Sequence, residues 1–306
     1  RFAPFAAAGR TLVYRPRFRP RTRLAWVDRR GIVNAIVGTE GAYYRSPSLS
    51  PDQNKVAVSY LDERTGVEDI WVFDVRRHIG DRLTTERVAG RYPAWLPDSR
   101  RVIFLALRAP AWGFYSRSIE EAGDEQRLFT SPGDILRIRE ATRDGRYLLF
   151  TRDRDLWVLP LDGERAPYPL MTTPFAESHG RVSPDGRWVA FASDDSGQSQ
   201  VYVTSFPTPG ERTRVSTDGG TDPQWRGDGR ELYFVSADRI MAAPVVTGPP
   251  FGHDTPVPLF RTSFEPFSLT FGSVYTPAPD GQRFLVVETI VPGEPRTAGC
   301  MRRGPV

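Results

Sequence analysis

The sequence has very little cysteine, lysine or histidine. Cys300 is the only cysteine among 306 residues, which excludes disulfides, cysteine-based zinc sites and iron–sulfur clusters within the chain. Lys55 is the only lysine, which leaves 40 arginines among 41 basic residues and indicates a GC-rich coding bias. The net charge is only +4 and no block of like charge occurs, so we expect no nucleic-acid partner.

Long apolar runs and helical patterns are also missing. No run approaches the roughly 18 apolar residues of a membrane-spanning helix. No stretch of about 11 residues or more repeats its apolar positions with the helical period. The chain starts with Arg1 and shows no signal peptide. We therefore expect that it begins inside a longer gene product or after processing, with any targeting segment lying outside it.

One short phrase, built around an aspartate, recurs along the chain. Its aspartate, or the residue at the equivalent position, lies at 8, 52, 98, 144, 185, 228 and 280, so the spacing runs from 41 to 52 residues. The copy at position 8, Ala6-Ala7-Ala8-Gly9, is degraded. The clearest copies are Ser183-Pro184-Asp185-Gly186 and Ala278-Pro279-Asp280-Gly281. A period of about 40–50 residues is typical of one four-stranded propeller blade.

Short β-branched and aromatic runs follow each phrase in the same order. The repeat around Asp185 gives Trp188–Phe191 as a second strand, Gln200–Val203 as a third and Arg214–Ser216 as a fourth. The sequence therefore predicts an all-β propeller of four-stranded blades. Seven anchors favour seven blades, and six are possible if the first and last repeats share one blade. We expect one propeller domain over residues 1–289 and an irregular tail over 290–306.

Two sets of residues have structural roles in this prediction. The phrase aspartates are expected to accept hydrogen bonds from backbone N–H groups of the turn, because Pro-Asp-Gly favours a tight turn. Trp71, Trp157 and Tyr202 share one position of the third strand and are expected to be buried between blades. The last repeat lacks a third and fourth strand, so ring closure requires N-terminal strands or a segment outside this chain.

Several phrases resemble a known family. Ser183–Ala190, Gln200–Pro207 and Val215–Gly220 are similar to the TolB-type, WD-like propeller, and more narrowly to the C-terminal propeller of bacterial serine/threonine protein kinases. The similarity extends over about residues 8–289. It implies a sensing or protein-binding module of a larger bacterial protein, located outside the cytoplasm or in the periplasm. The kinase nucleotide loop and catalytic motifs are absent, so the resemblance implies no phosphoryl transfer by this chain.

One pattern is not explained by turn chemistry. Five residues before the start of each phrase lie Arg1, Arg45, Arg91 and Arg137 in consecutive repeats, followed by Ser178, Thr221 and Ser273. Equal phase in a propeller means equal height, so these arginines are expected to form an arc at one mouth of the channel. Guanidinium groups pair well with carboxylates and phosphates. The predicted ligand-binding rim consists of Arg45, Arg91, Arg137, Glu177, His179 and Asp222.

Besides a purely structural propeller domain of a peptidase or secretion component, two classes of function stay open. The first is a non-catalytic module that binds a protein or peptide, with acidic ones suited to the arginines. The second is a propeller enzyme of the lactonase, hydrolase or lyase type with a site in the central funnel. The sequence shows no convergent His/Glu/Asp set and no Gly-x-Ser-x-Gly elbow. We therefore expect no catalytic residues, no metal site and no cofactor.

Overall fold

The computed structural model describes residues 5–8, 11–14, 21–62, 65–84, 90–121, 125–261, 263 and 272–290. All helices and strands assigned within these ranges are β-strands, and none of the described residues is helical. The predicted tail over 290–306 lies outside the described residues apart from Ile290, as do Arg1 and Cys300. The first four strands are β1 (Phe5–Ala8), β2 (Thr11–Tyr14), β3 (Thr22–Asp28) and β4 (Val33–Leu49).

Four blades are continuous in sequence after β4. Blade 2 contains β8 (Gly90–Trp95), β9 (Arg101–Arg108), β10 (Ala111–Ser118) and β11 (Glu125–Ser131). Blade 3 contains β12 (Leu136–Ala141), β13 (Tyr147–Arg152), β14 (Asp155–Pro160) and β15 (Tyr168–Met171). Blade 4 contains β16 (Glu177–Val182), β17 (Trp188–Ser193), β18 (Gln200–Ser205) and β19 (Thr213–Arg214). Blade 5 contains β20 (Thr221–Trp225), β21 (Glu231–Ser236), β22 (Arg239–Val246), β23 (Gly252–His253) and β24 (Val257–Arg261), of which β23 and β24 both pair with β22.

The remaining two blades share strand β4. Blade 1 contains the second part of β4, then β5 (Lys55–Leu61), β6 (Glu68–Asp74) and β7 (Gly80–Arg82). Blade 6 contains β25 (Tyr275–Pro277), β26 (Arg283–Thr289), β3 and the first part of β4. The chain therefore closes its ring with two strands from each end.

The described blades number six; five of them have four strands, and blade 5 has a fifth because both β23 and β24 pair with β22. The favoured count of seven is wrong and the six-blade alternative is confirmed, because the first and last repeats share one blade. The first repeat gives its third and fourth strands, β3 and β4, to β26 of the last repeat. Its first two strands, β1 and β2, form a separate hairpin.

Six hydrophobic clusters hold the six blades together, one between each neighbouring pair. The cluster between blades 3 and 4 contains Leu149, Val158, Val189, Phe191 and Tyr202, all buried. Equivalent clusters join blades 1 and 2, 2 and 3, 4 and 5, and 5 and 6. The sixth cluster joins blade 6 to blade 1 and closes the ring. The core therefore lies between the sheets, and each blade depends on two neighbours.

The third-strand aromatics pack in these clusters, as predicted. Tyr202 is buried between blades 3 and 4, while Trp71 and Trp157 are only half-buried at their interfaces. Arginines cover the outer rings: the guanidinium carbon of Arg152 lies 4.8 Å from the ring centroid of Trp157. The guanidinium group of Arg152 thus covers part of the Trp157 ring that the interface leaves exposed.

Candidate functional site

The repeated phrase forms the same turn in all six blades. In each copy the aspartate accepts a hydrogen bond from the backbone N–H two residues later, over 2.9–3.2 Å. These aspartates are Asp52, Asp98, Asp144, Asp185, Asp228 and Asp280. The prediction that they stabilise turns is confirmed for each of them. The turns lie on one face of the ring, which we call the turn face.

Hydrogen bonds keep three of these aspartates ionised. Burial alone would raise the pKa of Asp185, but hydrogen bonds from Ser183 Oγ, the Arg187 side chain and the Arg187 N–H outweigh it and lower the pKa. The same balance lowers the pKa of Asp52 and Asp144. These carboxylates accept hydrogen bonds within their own turns, so their repetition does not indicate a series of catalytic residues.

The innermost strand of each blade leaves one edge unpaired along the central channel. Strands β8, β12, β16, β20 and β25 each pair only with the second strand of their own blade. Successive innermost strands, including the second part of β4, contact one another in a closed circle. Five of the six contain a bulge at the same height, between Arg45 and Ser48 in blade 1, for example. Bulges re-aim side chains and break regular pairing, which exposes backbone groups to a ligand in the channel.

A cavity of about 500 Å³ occupies the turn-face half of the channel. It is lined by residues from the innermost strands of all six blades, including Ser48, Ala94, Glu140, Gln224 and Thr276. This volume is within the range of sites that enclose small ligands. We call it the channel cavity.

The mouth of the channel cavity is rich in proline. Pro51, Pro97, Pro184 and Pro279, the prolines of four turn phrases, line it. In blade 3 the equivalent residue is Arg143, whose Nη1 donates to the carbonyl oxygen of Gly227 in blade 5 at 3.0 Å. Arg143 therefore crosses the mouth in front of blade 4. A ligand would enter past rigid apolar rings and one exposed guanidinium.

Charged groups lie deeper in the channel cavity. Arg139 is buried in the lining, and its Nε donates to Thr151 Oγ1 at 2.9 Å. Arg181 donates through Nη1 to the Arg139 carbonyl oxygen and through Nη2 to Ser273 Oγ at 2.6 Å. Glu140 Oε1 accepts from the backbone N–H of Val182. Burial raises the pKa of Glu140, although Arg181 and that hydrogen bond oppose the shift.

The predicted arginines occupy equivalent positions at the other end of the channel. Arg45, Arg91 and Arg137 pair with Ser59, Leu105 and Thr151 on the adjacent strands, and all three are half-buried. They lie where the innermost strands begin, which we call the opposite face. None of them lines the channel cavity.

Arg45 and Arg91 contact groups in their own or the neighbouring blade. Arg45 Nη2 donates to Tyr43 Oη at 2.6 Å, with its guanidinium carbon 4.6 Å from the Tyr43 ring centroid. Arg91 Nε lies 2.8 Å from Glu68 Oε2 of blade 1, in an ion pair between blades. The equal height follows from the fold, while ligand binding by this arc stays a prediction.

The acidic and histidine residues of the predicted rim are buried. Glu177 is completely buried and accepts from Thr173 Oγ1, and burial raises its pKa. His179 is 4% exposed, with Nδ1 3.0 Å from Ser178 Oγ. Asp222 is completely buried and accepts from Ser273 Oγ at 2.7 Å and from the Val274 N–H at 3.0 Å. The side chains of these three residues are therefore buried and do not form an open rim.

The sequence reasoning missed the charged residues of the channel cavity. The usable signal is the third residue before each turn phrase, which is Pro47, Pro93, Arg139, Gly180, Pro223 and Tyr275 in successive blades. Five of the six are uncharged, and Arg139 alone carries a charge. Equal phase places all of them at the same height in the channel, so the single charged residue in this set could have been noticed from the sequence.

Comparisons with known proteins identify the fold. A structure of putative TolB from Agrobacterium tumefaciens is similar with a TM-score of 0.70 at 16% identity, covering 90% of this chain and 100% of that one. An oligogalacturonate lyase in complex with manganese has a TM-score of 0.57 at 12% identity, covering 83% and 78%. At such identities the likeness shows a TolB-like propeller fold and no activity.

One curated relative matches part of the chain. Tricorn protease homolog 1 of Streptomyces coelicolor is 33% identical over 106 residues, which is 34% of this chain and 10% of that protein. The chain thus spans about a tenth of its length. No family model matches the sequence. In the described part of the chain, no helix is long and apolar enough to cross a membrane, and no group of three or more His, Cys, Asp or Glu is arranged to hold a metal ion.

Proposed function

We propose that this propeller is a non-catalytic module of a larger bacterial protein that binds a protein or peptide segment in its channel cavity. The observation that supports this most is the channel cavity itself, about 500 Å³, lined by the unpaired edges of the innermost strands. An extended peptide can hydrogen-bond to such edges while its side chains occupy neighbouring pockets.

The composition of the cavity suits a peptide. Prolines at the mouth provide apolar surface that loses little conformational entropy on binding. Trp95 and Trp225 also line the cavity and are held by hydrogen bonds from their Nε1 atoms to the carbonyl oxygens of Ser48 and Arg181, both at 2.9 Å. A rigid, mainly apolar surface with a few polar groups is typical of binding sites.

A peptide selection on the intact chain tests this proposal. Displayed random peptides would be selected against the parent and then measured on two variants. Thr276→Trp places a large side chain in the channel cavity, which Thr276 lines. Ser196→Trp adds the same group to an exposed loop on the opposite face and serves as the control. We expect the first to weaken binding at least about tenfold and the second to leave it unchanged.

The same assay separates the two mouths of the channel. If the arginine arc is the site, selected peptides would bind Thr276→Trp as tightly as the parent and would lose affinity in Arg137→Gln. That result would overturn the cavity proposal and favour the arc, whose binding of acidic peptides should weaken as salt rises. Circular dichroism and thermal unfolding of each variant would establish that it is folded.

The wider setting follows from resemblance. We infer that the module belongs to a kinase-like or other multidomain protein and lies outside the cytoplasm, because its phrases resemble those of TolB-type and kinase-associated propellers. The upstream reading frame and a topology reporter fused to the whole protein would test both inferences. The enzymatic alternative has no supporting observation on the described residues. Stoichiometric calcium, zinc or manganese in the purified protein, or turnover of an oligosaccharide or lactone, would revive it.

A further inference from the structure

Arg139 is a buried cation on the wall of the channel cavity with very few partners. The residue is 6% exposed. Its Nε donates to Thr151 Oγ1, and among the described residues its terminal nitrogens donate to no acceptor and no carboxylate lies within ion-pair distance. A guanidinium carries five N–H donors. Four of them therefore face a space with restricted access to water, where an unmet charge is costly.

The surrounding charges increase this need for an anion. Burial lowers the pKa of Arg139 to about 9; Tyr92 opposes this shift, repulsion from Arg181 and Arg137 adds to it, and Asp222 opposes it. The guanidinium nevertheless stays charged at neutral pH. Two further cations therefore act on Arg139.

The two nearby carboxyl groups are committed elsewhere. Asp222 accepts from Ser273 Oγ and the Val274 N–H, and Glu140 accepts from the Val182 N–H. Burial raises the pKa of both, although the nearby arginines and these hydrogen bonds oppose it. Neither lies within ion-pair distance of Arg139, so the pairing capacity of its terminal nitrogens is unused among the described residues.

The fold itself does not require a cation at this position. The other five blades place Pro47, Pro93, Gly180, Pro223 and Tyr275 at the equivalent residue. Those residues occupy the same height in the channel without a charge. The buried guanidinium is therefore a local addition to blade 3, at a cost to folding that a ligand could offset.

We propose that Arg139 anchors a carboxylate subsite on the wall of the channel cavity, which receives an Asp, Glu or C-terminal carboxylate of the bound segment. This rests on the proposed peptide-binding function. A planar carboxylate matches the two-pronged geometry of a guanidinium. A dianion such as phosphate would meet Glu140 and Asp222, so a single negative charge fits better.

N-acetylglycinate, a small molecule with one carboxylate, tests the subsite without knowledge of the peptide. Thermal unfolding of the intact chain would be followed with increasing N-acetylglycinate, with its neutral amide and with inorganic phosphate at matched ionic strength. Arg139→Gln removes the anchor, and Arg100→Gln removes an exposed surface arginine as the control. Ligand that binds the folded state raises the melting temperature with concentration.

We expect N-acetylglycinate to stabilise the parent and Arg100→Gln equally, with the amide inactive and phosphate weaker. In Arg139→Gln the apparent affinity should fall about 10- to 100-fold, as for loss of a charged hydrogen bond. An equal shift in Arg139→Gln, an equal effect of the amide, or no shift in the parent at about fiftyfold excess over a dissociation constant of ~1 mM would overturn the subsite. Tighter binding of phosphate would overturn the carboxylate assignment.

Two further arms keep the result decisive. If Arg139→Gln does not fold, Arg139→Lys keeps the charge but loses the two-pronged geometry, and the parent's preference for N-acetylglycinate over its amide decides. Failure of the N-acetylglycinate experiment leaves the peptide selection and its Thr276→Trp variant unaffected. Conversely, N-acetylglycinate binding that depends on Arg139, together with a failed peptide selection, would retain the subsite and replace the peptide with a small free carboxylate.

Discussion

Phe284 provides a test of ring closure, because it lies in the blade that joins the two ends of the chain. Its side chain is completely buried in β26. Its ring centroid lies 5.0 Å from that of Tyr233 and 5.4 Å from that of Phe260, both in blade 5. Phe284→Ala removes these contacts and leaves a cavity between blades 5 and 6. Loss of a buried phenylalanine of this kind costs about 3–5 kcal/mol in the free energy of unfolding.

Phe150 is the matched control in a blade that is continuous in sequence. It is also completely buried, with its ring centroid 5.0 Å from that of Phe114 and 6.4 Å from that of Trp157. If the ring unfolds as one unit, Phe150→Ala and Phe284→Ala should cost similar free energy. At about 2 cal/mol/K of unfolding entropy per residue, each should lower the melting temperature by about 5–8 °C.

Urea unfolding followed by circular dichroism and tryptophan fluorescence measures both variants. We expect one transition with an unchanged slope and a lower midpoint in each case. If Phe284→Ala lost less than about 1 kcal/mol while Phe150→Ala lost the full amount, blade 6 would not be part of the cooperative unit. The closed ring would then be refuted as the source of stability.

Two further predictions follow from single positions. Gly186 has φ +74° and an added Cβ would meet nothing within 4 Å, so Gly186→Ala should lower the free energy of unfolding by about 1–2 kcal/mol through backbone strain alone. Gly252 is equally open but has no positive φ, so Gly252→Ala should change the free energy of unfolding by less than about 1 kcal/mol. Equal effects of the two substitutions would refute the strain argument. Burial raises the pKa of Glu177 in the folded state, so folding favours its protonated carboxyl group. The stability that this group contributes is fully present below its unfolded-state pKa and is lost as the pH rises through its folded-state pKa. Glu177→Gln should therefore gain stability relative to the parent between pH 4.5 and pH 8 in thermal unfolding, and a constant difference would contradict this.

The sequence by itself determined the blade. The phrase aspartates, the strand order and the third-strand aromatics depend on contacts within about 45 residues, and each turn is built from a carboxylate and N–H groups two or three residues apart. Such local rules are readable without the fold. The relative height of Arg45, Arg91 and Arg137 was also readable, because equal phase in a repeat gives equal height.

The tertiary structure alone decided the number of blades and the location of the cavity. The pairing of Leu285 with Trp26 joins residues 259 apart, and no local signal specifies it. Likewise Asp222 and Glu177 read as exposed polar residues until the neighbouring strands are in place to bury them. The position of Arg139 on its own strand does not show that its terminal nitrogens have no carboxylate partner among the described residues. Its isolation depends on where Asp222 and Glu140 direct their hydrogen bonds, and long-range packing of the six innermost strands sets those directions.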